Sequence, residues 1–584
     1  MADLFTAADL AAMARLGIDP AEAARHVALL THPPAAARLE RPCTRGDGVD
    51  RIAEERHRDL LSLFEEAEKA GRLSKFVPAS GAASRMFQSL QKALDDAEAT
   101  WFDWNDRAAR GDAGAAEVVR FVENLEQLPF AAELRAAVGE DVFSDPRSRL
   151  RELLAATLQS PGLGLATRPK GLVPFHLEEE GARTPFEEHL VESGLTVRAA
   201  SGRTPVHFTV AEEARGDFEA LLERHRDGLQ RRLHARFEVT FSVQERSTDT
   251  LAVGLDGLPF RTAEGELLFR PGGHGALLGN LAALGGDVVF VKNIDNVVPD
   301  ARKGPTLLWK RLLAGRLLEV ERRVGHLVSL LHEGGPTAAD EALSYLRETF
   351  GDATAEAETL PPAERVAWVL ARLERPLRVC GVVRNQGEPG GGPFWVRSRD
   401  GRLSRQIVES AEVDLSDARQ KALWSAGTHF NPVDLVLALR DAAGRPWDLL
   451  PVRRRGGRLR LEEIARGSRA PRPRETRPLE RRHGLLEHAL RRGADRDVRP
   501  GQECPRPPAA RAPPRAGVAA LSAASACGGR ASPPAAARRP CRGGRTTRRR
   551  RSRGGAGLRG PGRAGAPAPG PGAPGSPPSR TRGR

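Results

Sequence analysis

The sequence has few cysteines and no long apolar segment. Five cysteines occur in 584 residues, three of them beyond residue 500, and their spacing matches neither a disulfide framework nor a metal-binding pattern. No apolar run is long enough to cross a bilayer. The first twenty residues also lack the basic start and the apolar stretch of a signal peptide. These absences predict a protein of the reducing cytoplasm without a membrane partner.

Acidic and aromatic residues are scarce at the C-terminal end. From Arg453 onward the chain has 34 Arg, no Lys and 8 acidic residues, with no Phe, Trp or Tyr. The preceding 452 residues carry 56 basic and 68 acidic residues, so the formal net charge of +14 comes from the tail. A segment dominated by Arg, Pro, Ala and Gly cannot form an apolar core, and residues 453–584 are therefore predicted to be disordered.

Two hypotheses explain this basic tail. Its arginines suit electrostatic binding to nucleic acid. Alternatively, the tail is an out-of-frame translation of GC-rich DNA, which the abrupt change of composition favours. In either case the isoelectric point describes the tail and does not assign a function to the mildly acidic body.

The rest of the chain divides into two predicted parts. Residues 1–70 are expected to form a helical N-terminal extension, with helices beginning after Thr6 and at Asp19-Pro20. Residues 71–452 are expected to form an α/β domain. Segments 98–160 and 305–373 show helical spacing without a chemical motif, and they are interpreted as helical insertions.

The most informative stretch combines a glycine-rich turn, a helix and a strand. The turn Gly272–Gly275 precedes an apolar segment with helical spacing. The β-branched run Val288–Val291 then predicts a buried strand that leads to Asp295. A carboxylate at the C-terminal end of a strand is typical of ligand sites in open α/β sheets, and an aspartate there suits Mg²⁺. The alternative is a tight turn and a core strand in which Asp295 only caps the next element.

Two further segments suit phosphate contacts. The segment from Lys75 to Met86 begins as a short strand that leads into small residues and then into a helix, and helix N-termini favour anions. The segment is neither a P-loop nor a dinucleotide fingerprint, because it lacks their glycines and the Gly-Lys-Ser/Thr ending. Lys170, on a loop fixed by Pro169 and Gly171, suits a phosphate contact. The alternatives are strand–turn–helix packing for the first segment and a solvated surface lysine for the second.

Two more segments leave their interpretation open. Gln244, at the end of an alternating strand, is suited either to a base edge or to closing a turn. The glycine-rich loop that contains Glu388 is suited either to covering a sugar or to forming a flexible hairpin.

The order of these motifs resembles that of UDP-sugar pyrophosphorylases. More closely, over roughly residues 50–450, the chain is identified as a member of a bacterial family of unknown function, domain of unknown function 4301, that is distantly related to them. The segment from Gly81 to Met86 resembles their phosphate-binding loop, with Ala83 in place of the second glycine. Pro169-Lys170-Gly171 resembles their Pro-Lys-Gly. The Gly272–Gly275 turn resembles their Pro-Gly-His-Gly with one extra glycine, and Asn293–Asn296 is similar to their Asn-x-Asp-Asn.

The resemblance implies a role for each matched position. It implies phosphate-binding, catalytic roles for Arg85 and Lys170, and Mg²⁺ binding by Asp295. The positions implied to contact the nucleotide are Gly81, Ala82, Ser84, Gln244 and Gly273, and those implied to contact the sugar are His274, Gly275, Asn293, Asn296 and Glu388.

The resemblance also implies a fold and a reaction. The fold is a doubly wound α/β nucleotidyltransferase domain of the glycosyltransferase-A type. The reaction is Mg²⁺-dependent transfer of a nucleotidyl group from a nucleoside triphosphate to a sugar 1-phosphate, with release of pyrophosphate, or its reverse. The alternatives are a catalytically silent sugar-nucleotide-binding protein on the same fold and nucleic-acid binding through the tail.

Overall fold

A computed structural model describes residues 4–449, apart from 33–34, 255, 271, 273, 335–336, 388–389 and 399–400, and apart from the side chain of His274. The basic tail, with the interpretations given above for it, lies outside the described residues.

The described chain is a mixed α/β structure. The helices are α1 (Ala7–Leu16), α2 (Pro20–Thr31), α3 (His57–Lys69), α4 (Gln88–Asp95), α5 (Trp101–Ala109), α6 (Ala113–Glu123), α7 (Ala131–Val138), α8 (Glu140–Ser144), α9 (Leu150–Leu158), α10 (Pro185–Thr196), α11 (Arg215–Leu233), α12 (Leu278–Ala283), α13 (Lys303–His332), α14 (Ala338–Tyr345), α15 (Ala355–Glu358), α16 (Pro362–Leu373) and α17 (Ala418–Ser425). The strands are β1 (Arg38–Pro42), β2 (Thr44–Arg45), β3 (Gly48–Val49), β4 (Leu73–Pro78), β5 (His176–Glu178), β6 (Gly181–Arg183), β7 (Arg203–Val210), β8 (Arg236–Val243), β9 (Thr250–Leu251), β10 (Phe269–Arg270), β11 (Val288–Lys292), β12 (Leu377–Cys380), β13 (Val383–Arg384), β14 (Gly392–Arg397), β15 (Leu403–Val408), β16 (His429–Phe430) and β17 (Asp434–Ala438).

A six-stranded sheet forms the centre of this part of the chain. Its strand order is β12-β17-β11-β4-β7-β8. Strands β11, β4, β7 and β8 are parallel, whereas β17 runs antiparallel to both of its neighbours. Since β4 is the first of these strands in the chain, and β7 and β11 lie on opposite sides of it, the order of the strands reverses at β4.

Helices cover both faces of this sheet, because successive residues of its strands place apolar side chains on opposite faces. Val288 and Phe290 of β11 pack with α3 and α13, whereas Val289 packs on the other face with α12. The parallel strands β4, β7 and β8 pack α10 and α11 through a cluster that includes Val77 and Phe208. Buried strands with apolar residues on both faces are expected for parallel strands covered on both sides.

The described residues of the two segments interpreted as helical insertions form only helices and their connections. Helices α5–α9 lie within 98–160 and share one apolar core with α4. Helix α13 begins just before the second segment, and its C-terminal half packs with α14 and α16. Their status as insertions stays a prediction.

The expectation of an all-helical segment over 1–70 is wrong between α2 and α3. Helices α1 and α2 begin at the expected caps, since Thr6 accepts from the Asp9 backbone N–H and Asp19 from that of Ala21. Three short strands follow them, and β1 pairs with β14, more than 350 residues later. Such a distant partner gives no local periodicity. Helix α3, moreover, packs directly on the central sheet.

Among the described residues, no helix combines the length and the apolar character needed to cross a membrane.

Candidate active site

The C-terminal ends of β4 and β11 lie side by side. These strands are parallel neighbours in a register that pairs Leu73 with Val288 and Phe76 with Val291. The chain leaves β4 through the loop that contains Gly81, and it leaves β11 through Asn293–Asn296. Two of the predicted segments therefore begin at the C-terminal ends of neighbouring strands. The strand order reverses at this position, and open α/β sheets bind ligands at such positions.

The Lys170 loop lies against the loop that follows β4. The backbone N–H of Lys170 donates to the carbonyl of Gly81 over 3.0 Å, and that of Ala83 donates to the carbonyl of Arg168 over 3.0 Å. Between these two hydrogen bonds, Ala82 and Pro169 form an antiparallel bridge. The two segments predicted to contact phosphate are therefore joined through their backbones.

The side chain of Lys170 reaches the segment after β11. Its Nζ donates to Oδ2 of Asp295 over 2.7 Å, although the two residues are 125 positions apart in the chain. Both side chains are about one-fifth exposed, at 18% and 19%. This contact joins the predicted phosphate-binding lysine to the predicted metal ligand, and both side chains are partly exposed to solvent.

Close packing behind Lys170 fixes this loop. A Cβ added to Gly171 would lie 2.8 Å from Cε1 of Phe218 and 3.1 Å from Cγ1 of Ile294. Phe218 and Ile294 are buried, and Ile294 directly precedes Asp295. The glycine therefore lets the Lys170 loop pack against the segment that carries the carboxylate.

Ala83 does not take space from the exposed side of the loop that follows β4. It is fully buried and packs in the helical core with Met86 and Phe87. A Cβ built on Gly81, by contrast, meets no atom within 4 Å. Ala83 therefore points into the core, and the open surface lies at Gly81.

Ser84 and Arg85 occupy a 3₁₀ turn, Ala83–Arg85, just before α4, and both are exposed. Within the described residues Arg85 makes no ion pair, unlike Lys170. The guanidinium of Arg85 is therefore accessible to solvent at the start of a helical segment. A phosphate-binding role for Arg85 stays a prediction.

Gln244 closes onto the glycine-rich turn. With its amide oriented to satisfy both partners, its nitrogen donates to the Gly272 carbonyl over 3.1 Å and its oxygen accepts from the Gly272 N–H over 2.8 Å. This geometry is that of a side chain closing a turn. Strand β8 is three strands from β11, so the two strand axes are roughly 14 Å apart. Binding of a base by Gln244 stays a prediction.

A second set of hydrogen bonds holds this turn to the sheet. Asn280 of α12 donates to Oγ of Ser242 over 2.8 Å and to the carbonyl of Val243 over 3.0 Å. Nε2 of His207, on β7, lies 2.8 Å from the same hydroxyl. The His207 ring also stacks on Phe76, with 5.4 Å between the ring centroids. Helix α12 and the end of β8 are thereby fixed relative to β4.

The Asn293–Asn296 segment forms a turn with contacts at both ends. The N–H of Asn296 donates to the Asn293 carbonyl over 3.0 Å, and the Asn296 side chain donates to the Pro432 carbonyl over 2.9 Å. Oδ1 of Asn293 is buried and has no hydrogen-bond partner among the described residues. Asn296 thus connects this turn to the segment before β17, and sugar binding by either asparagine stays a prediction.

The structure gives few contacts for the remaining predicted positions. Gly275 is exposed in the 3₁₀ turn before α12. Gly273, Glu388 and the side chain of His274 lie outside the described residues.

Helix α10 supplies residues that the sequence motifs do not indicate. Eleven of its twelve residues are buried, and Glu187, Glu188, His189 and Glu192 are among them. Isolated buried charges are costly, so such residues need partners. The partners of Glu188, His189 and Glu192 come from β4, β11, α13 and the loops near the candidate site, whereas Glu187 contacts Thr184 and His225 of α11.

Glu192 lies at the centre of a lysine cluster, formed by Lys75 of β4, Lys292 of β11 and Lys310 of α13. Its carboxylate accepts from Lys75 over 2.7 Å and from Lys292 over 2.6 Å, and Nζ of Lys310 lies 3.3 Å away. Lys310 also donates to Asp434 over 2.7 Å. Three ammonium groups thus face two carboxylates.

The charges within the lysine cluster shift the pKa values of its members. Burial opposes ionisation of Glu192, but Lys292, Lys310 and Lys75 outweigh it and hold the pKa of Glu192 well below its usual value. Burial lowers the pKa of Lys75 to about 7, because Glu192 compensates only part of the desolvation and because Lys310 and Lys292 repel its charge. Two of the three lysines, Lys75 and Lys292, belong to the strands whose C-terminal ends lead into the candidate site.

Glu188 forms the second charged contact of α10. One of its oxygens lies 2.8 Å from Nδ1 of His176, in the hairpin that follows the Lys170 loop, and the other accepts from Lys303 of α13. Burial opposes ionisation of Glu188, but these two hydrogen bonds outweigh it and lower its pKa. His176, Glu178 and Glu188 have metal-ligand spacing. Lys303 and Arg183 already neutralise this group, which is therefore a structural ion-pair network.

A family model described as a domain of unknown function (DUF4301) matches residues 6–456. The chain belongs to this family. The match confirms the family expected from the motifs, and it includes every described residue of the candidate site. No curated protein matches this DUF4301 chain.

Three solved structures that match this chain are named as UDP-sugar pyrophosphorylases or as a UDP-glucose phosphorylase. The uridine diphosphate N-acetylglucosamine pyrophosphorylase of Trypanosoma brucei, solved with an inhibitor, is 13% identical with a TM-score of 0.35, over 74% of this chain and 62% of its own. A variant UDP-glucose pyrophosphorylase of Leishmania major, solved with UDP-glucose, is 13% identical with a TM-score of 0.32, over 79% and 66%. A UDP-glucose phosphorylase of T. brucei is 12% identical with a TM-score of 0.32, over 74% and 61%.

The DUF4301 chain spans less than two thirds of the length of each of these three proteins. At such identities and TM-scores the similarities assign neither a reaction nor a substrate.

The sequence did contain a signal for the residues of α10. The run from Thr184 to Thr196 places charged residues between Phe186, Leu190 and Val191, so no face of the helix is purely polar. Such a helix is buried, and its charged groups must find partners inside the protein. The identity of those partners, up to 117 positions away, is not readable from the pattern.

Proposed function

We propose that this protein is a sugar-1-phosphate nucleotidyltransferase that acts on a nucleoside triphosphate and a sugar 1-phosphate. The observation that carries the proposal is the 2.7 Å contact between Lys170 and Asp295 beside the exposed Gly81 loop. A cation, a carboxylate and an open glycine-containing loop at one sheet edge are the groups that phosphoryl and nucleotidyl transfer require.

The sheet topology supports the finer assignment of the fold. Taking the strands from one edge, the order β8-β7-β4-β11 is that of a doubly wound α/β domain, with β17 and β12 added beyond β11. We therefore propose a doubly wound nucleotidyltransferase domain of the glycosyltransferase-A type, whose ligand site lies where β4 and β11 diverge.

The proposed reaction needs no covalent intermediate. A phosphate oxygen of the sugar 1-phosphate attacks the α-phosphorus of the nucleotide, and the bond from that phosphorus to the bridging oxygen of pyrophosphate breaks. In this proposal Lys170 would bind the phosphates through its ammonium, and Arg85 would offer a second cation from the start of the helical segment. Both charges stabilise the transition state more than the ground state if they are fixed before the reaction.

The residues fit a Mg²⁺ ion. Mg²⁺ in such enzymes is held by one or two carboxylates together with waters and substrate phosphates. The Asp295 carboxylate is partly exposed at the strand end, and the buried, unpartnered Oδ1 of Asn293 lies two residues before it. A bound Mg²⁺ would neutralise charge on the phosphates. Lys170, which contacts Asp295, would contribute a further positive charge for the phosphates.

Pyrophosphate release from pairs of nucleoside triphosphates and sugar 1-phosphates, measured with the full chain, tests this proposal. At least one pair should turn over with Mg²⁺. Lys170→Met and Asp295→Asn should each lower turnover by roughly 10²–10³-fold, the effect of removing one preorganised charged contact. Lys69→Met, at an exposed lysine of α3, is the matched control and should retain full turnover.

Two outcomes would contradict the assignment. Turnover in Lys170→Met or Asp295→Asn equal to that of the wild type would show that this site does not perform the reaction. Binding of sugar nucleotides by calorimetry, without pyrophosphate release for any pair, would support a silent sugar-nucleotide-binding protein instead.

A further inference from the structure

Helix α10 contacts the Asn293–Asn296 turn through one histidine. Nε2 of His189 lies 3.1 Å from the carbonyl oxygen of Asn293 and 3.1 Å from that of Ile294. Both partners are acceptors, so the proton of the imidazole must be on Nε2. The two carbonyls belong to the residues directly before Asp295, which makes this contact the support behind the carboxylate.

The surroundings of His189 keep its ring neutral. The side chain is completely buried, and its own backbone carbonyl accepts from Nζ of Lys75 over 3.2 Å. Burial, and next the positive charge of Lys75, hold the pKa of His189 well below its usual value. Nδ1 is buried without a hydrogen-bond partner among the described residues, so the ring acts here only as a donor.

The same helix carries a charged contact directed away from the turn. Glu187 caps the start of α10 by accepting from Thr184, and it lies 3.1 Å from Nδ1 of His225 on α11. Glu187 is buried like His189, but its partners do not belong to the Asn293–Asn296 turn. It therefore provides a matched control within the same helix.

We propose that His189 is a positioning residue for nucleotidyl transfer, which holds the Asn293–Ile294 backbone so that Asp295 stays within hydrogen-bond distance of Lys170. Only the kinetic test of this inference depends on the proposed function. Displacing a reacting group by about 1 Å lowers turnover by roughly 10²-fold. Loss of the shared donor should therefore appear in kcat, with little change in the KM of either substrate.

Three substitutions separate positioning from simple support of the fold. His189→Leu removes the donor. His189→Asn keeps a polar side chain that is too short to reach the carbonyls, and His189→Gln places an amide N–H near the position of Nε2. We expect kcat to fall at least 10-fold in the Leu and Asn variants and to recover within about 3-fold in the Gln variant. Glu187→Gln should lower the unfolding temperature and leave kcat unchanged.

A second readout does not require any activity. Acetylation of Lys170 by acetic anhydride, followed by mass spectrometry and normalised to exposed Lys69, reports whether the Lys170–Asp295 contact is held. Labelling of Lys170 should rise at least 3-fold in His189→Leu and His189→Asn, and stay at the wild-type level in His189→Gln and Glu187→Gln.

The outcomes distinguish this inference from the proposed function. Increased labelling in a protein that releases no pyrophosphate with any substrate pair would support the positioning role and refute the reaction. Unchanged labelling in both His189→Leu and His189→Asn, or a kcat that His189→Gln does not restore, would overturn the positioning role. If His189→Leu does not fold, the comparison of His189→Asn with His189→Gln gives the same decision.

Discussion

Replacing Gly171 by alanine tests whether packing behind the Lys170 loop sets the site. The added Cβ would lie 2.8 Å and 2.9 Å from two ring atoms of Phe218, whereas ordinary van der Waals contacts begin near 3.4 Å. The ring or the loop must therefore move by at least about 0.6 Å. Phe218 is fully buried between Phe186 and Phe241, so most of this movement should occur in the loop.

The expected magnitude has two parts. Overpacking a well-packed core by one methyl group costs about 1–3 kcal/mol of unfolding free energy. A shift of the loop by a large fraction of an ångström moves Lys170 away from Asp295, and catalysis is sensitive to displacements of that size. Gly171→Ala should therefore lose about 1–3 kcal/mol in urea unfolding and roughly 10–100-fold in kcat.

The matched control for this substitution is Gly228→Ala. Gly228 lies inside α11, and a Cβ there meets no atom within 4 Å. Because alanine favours helix more than glycine does, this variant should gain about 0.5–1 kcal/mol and keep its turnover. If Gly171→Ala matched the stability and kcat of the wild type, the contact with Phe218 would not position the Lys170 loop.

Further predictions concern charged groups. Glu192→Gln should lower the free energy of unfolding in urea at pH 7 by about 3–5 kcal/mol, because Lys75 and Lys292 lose a buried carboxylate. Lys75→Met should lower it less, because two lysines then face two carboxylates. Burial lowers the pKa of Lys75 to about 7, from 10.5, so the unfolded chain binds this proton at pH values where the native state has lost it. The free energy of unfolding should therefore rise between about pH 7 and pH 10, and Lys75→Met should flatten that rise; an unchanged slope would contradict this interpretation. Hydrogen bonding by Arg261 lowers the pKa of Asp9 to about 2, from 3.8, so its stabilisation is complete above about pH 4 and lost between pH 4 and pH 2. Arg261→Gln should make acid unfolding in that range shallower, and a curve parallel to that of the wild type would refute the assignment.

The sequence predicted the parts of the site that depend on short motifs. Strand β11 was expected over 288–291 and ends one residue later, so Asp295 follows the strand as expected. Lys170 was expected near the same carboxylate only through the family resemblance, and the structure brings the two side chains into contact. Motifs of this kind are readable because turn chemistry and apolar periodicity are local properties.

The groups that fix these motifs were not predicted, for a physical reason. His189 and Glu192 act through atoms that are 100 or more positions away, such as the carbonyl of Asn293 and Nζ of Lys292. A helix pattern shows that such residues are buried but not what they meet. The same limit applies to β1, whose pairing with β14 left no periodic signal in its own segment.

Gln244 illustrates an ambiguity that local patterns cannot resolve. A polar residue at a strand end is suited both to a ligand and to a turn, and here its amide meets the Gly272 backbone. The partner lies on a segment 28 positions later, beyond the reach of strand periodicity. The contact with the turn could therefore be found only from tertiary structure, and base binding by Gln244 stays a prediction.

The antiparallel strand β17 has a consequence for synthesis on the ribosome. It lies between β11 and β12, yet it is the last of the six strands to be made, about 140 residues after β11. At roughly 5–20 residues per second, translation leaves the hydrogen-bonding edge of β11 without its final neighbour for roughly 7–30 s. During that interval one edge of the apolar strand β11 has no partner. An unpaired strand edge is a template for aggregation. Slowing elongation after β11 should therefore lower the soluble yield of this protein, and a chaperone that shields strand edges should restore it.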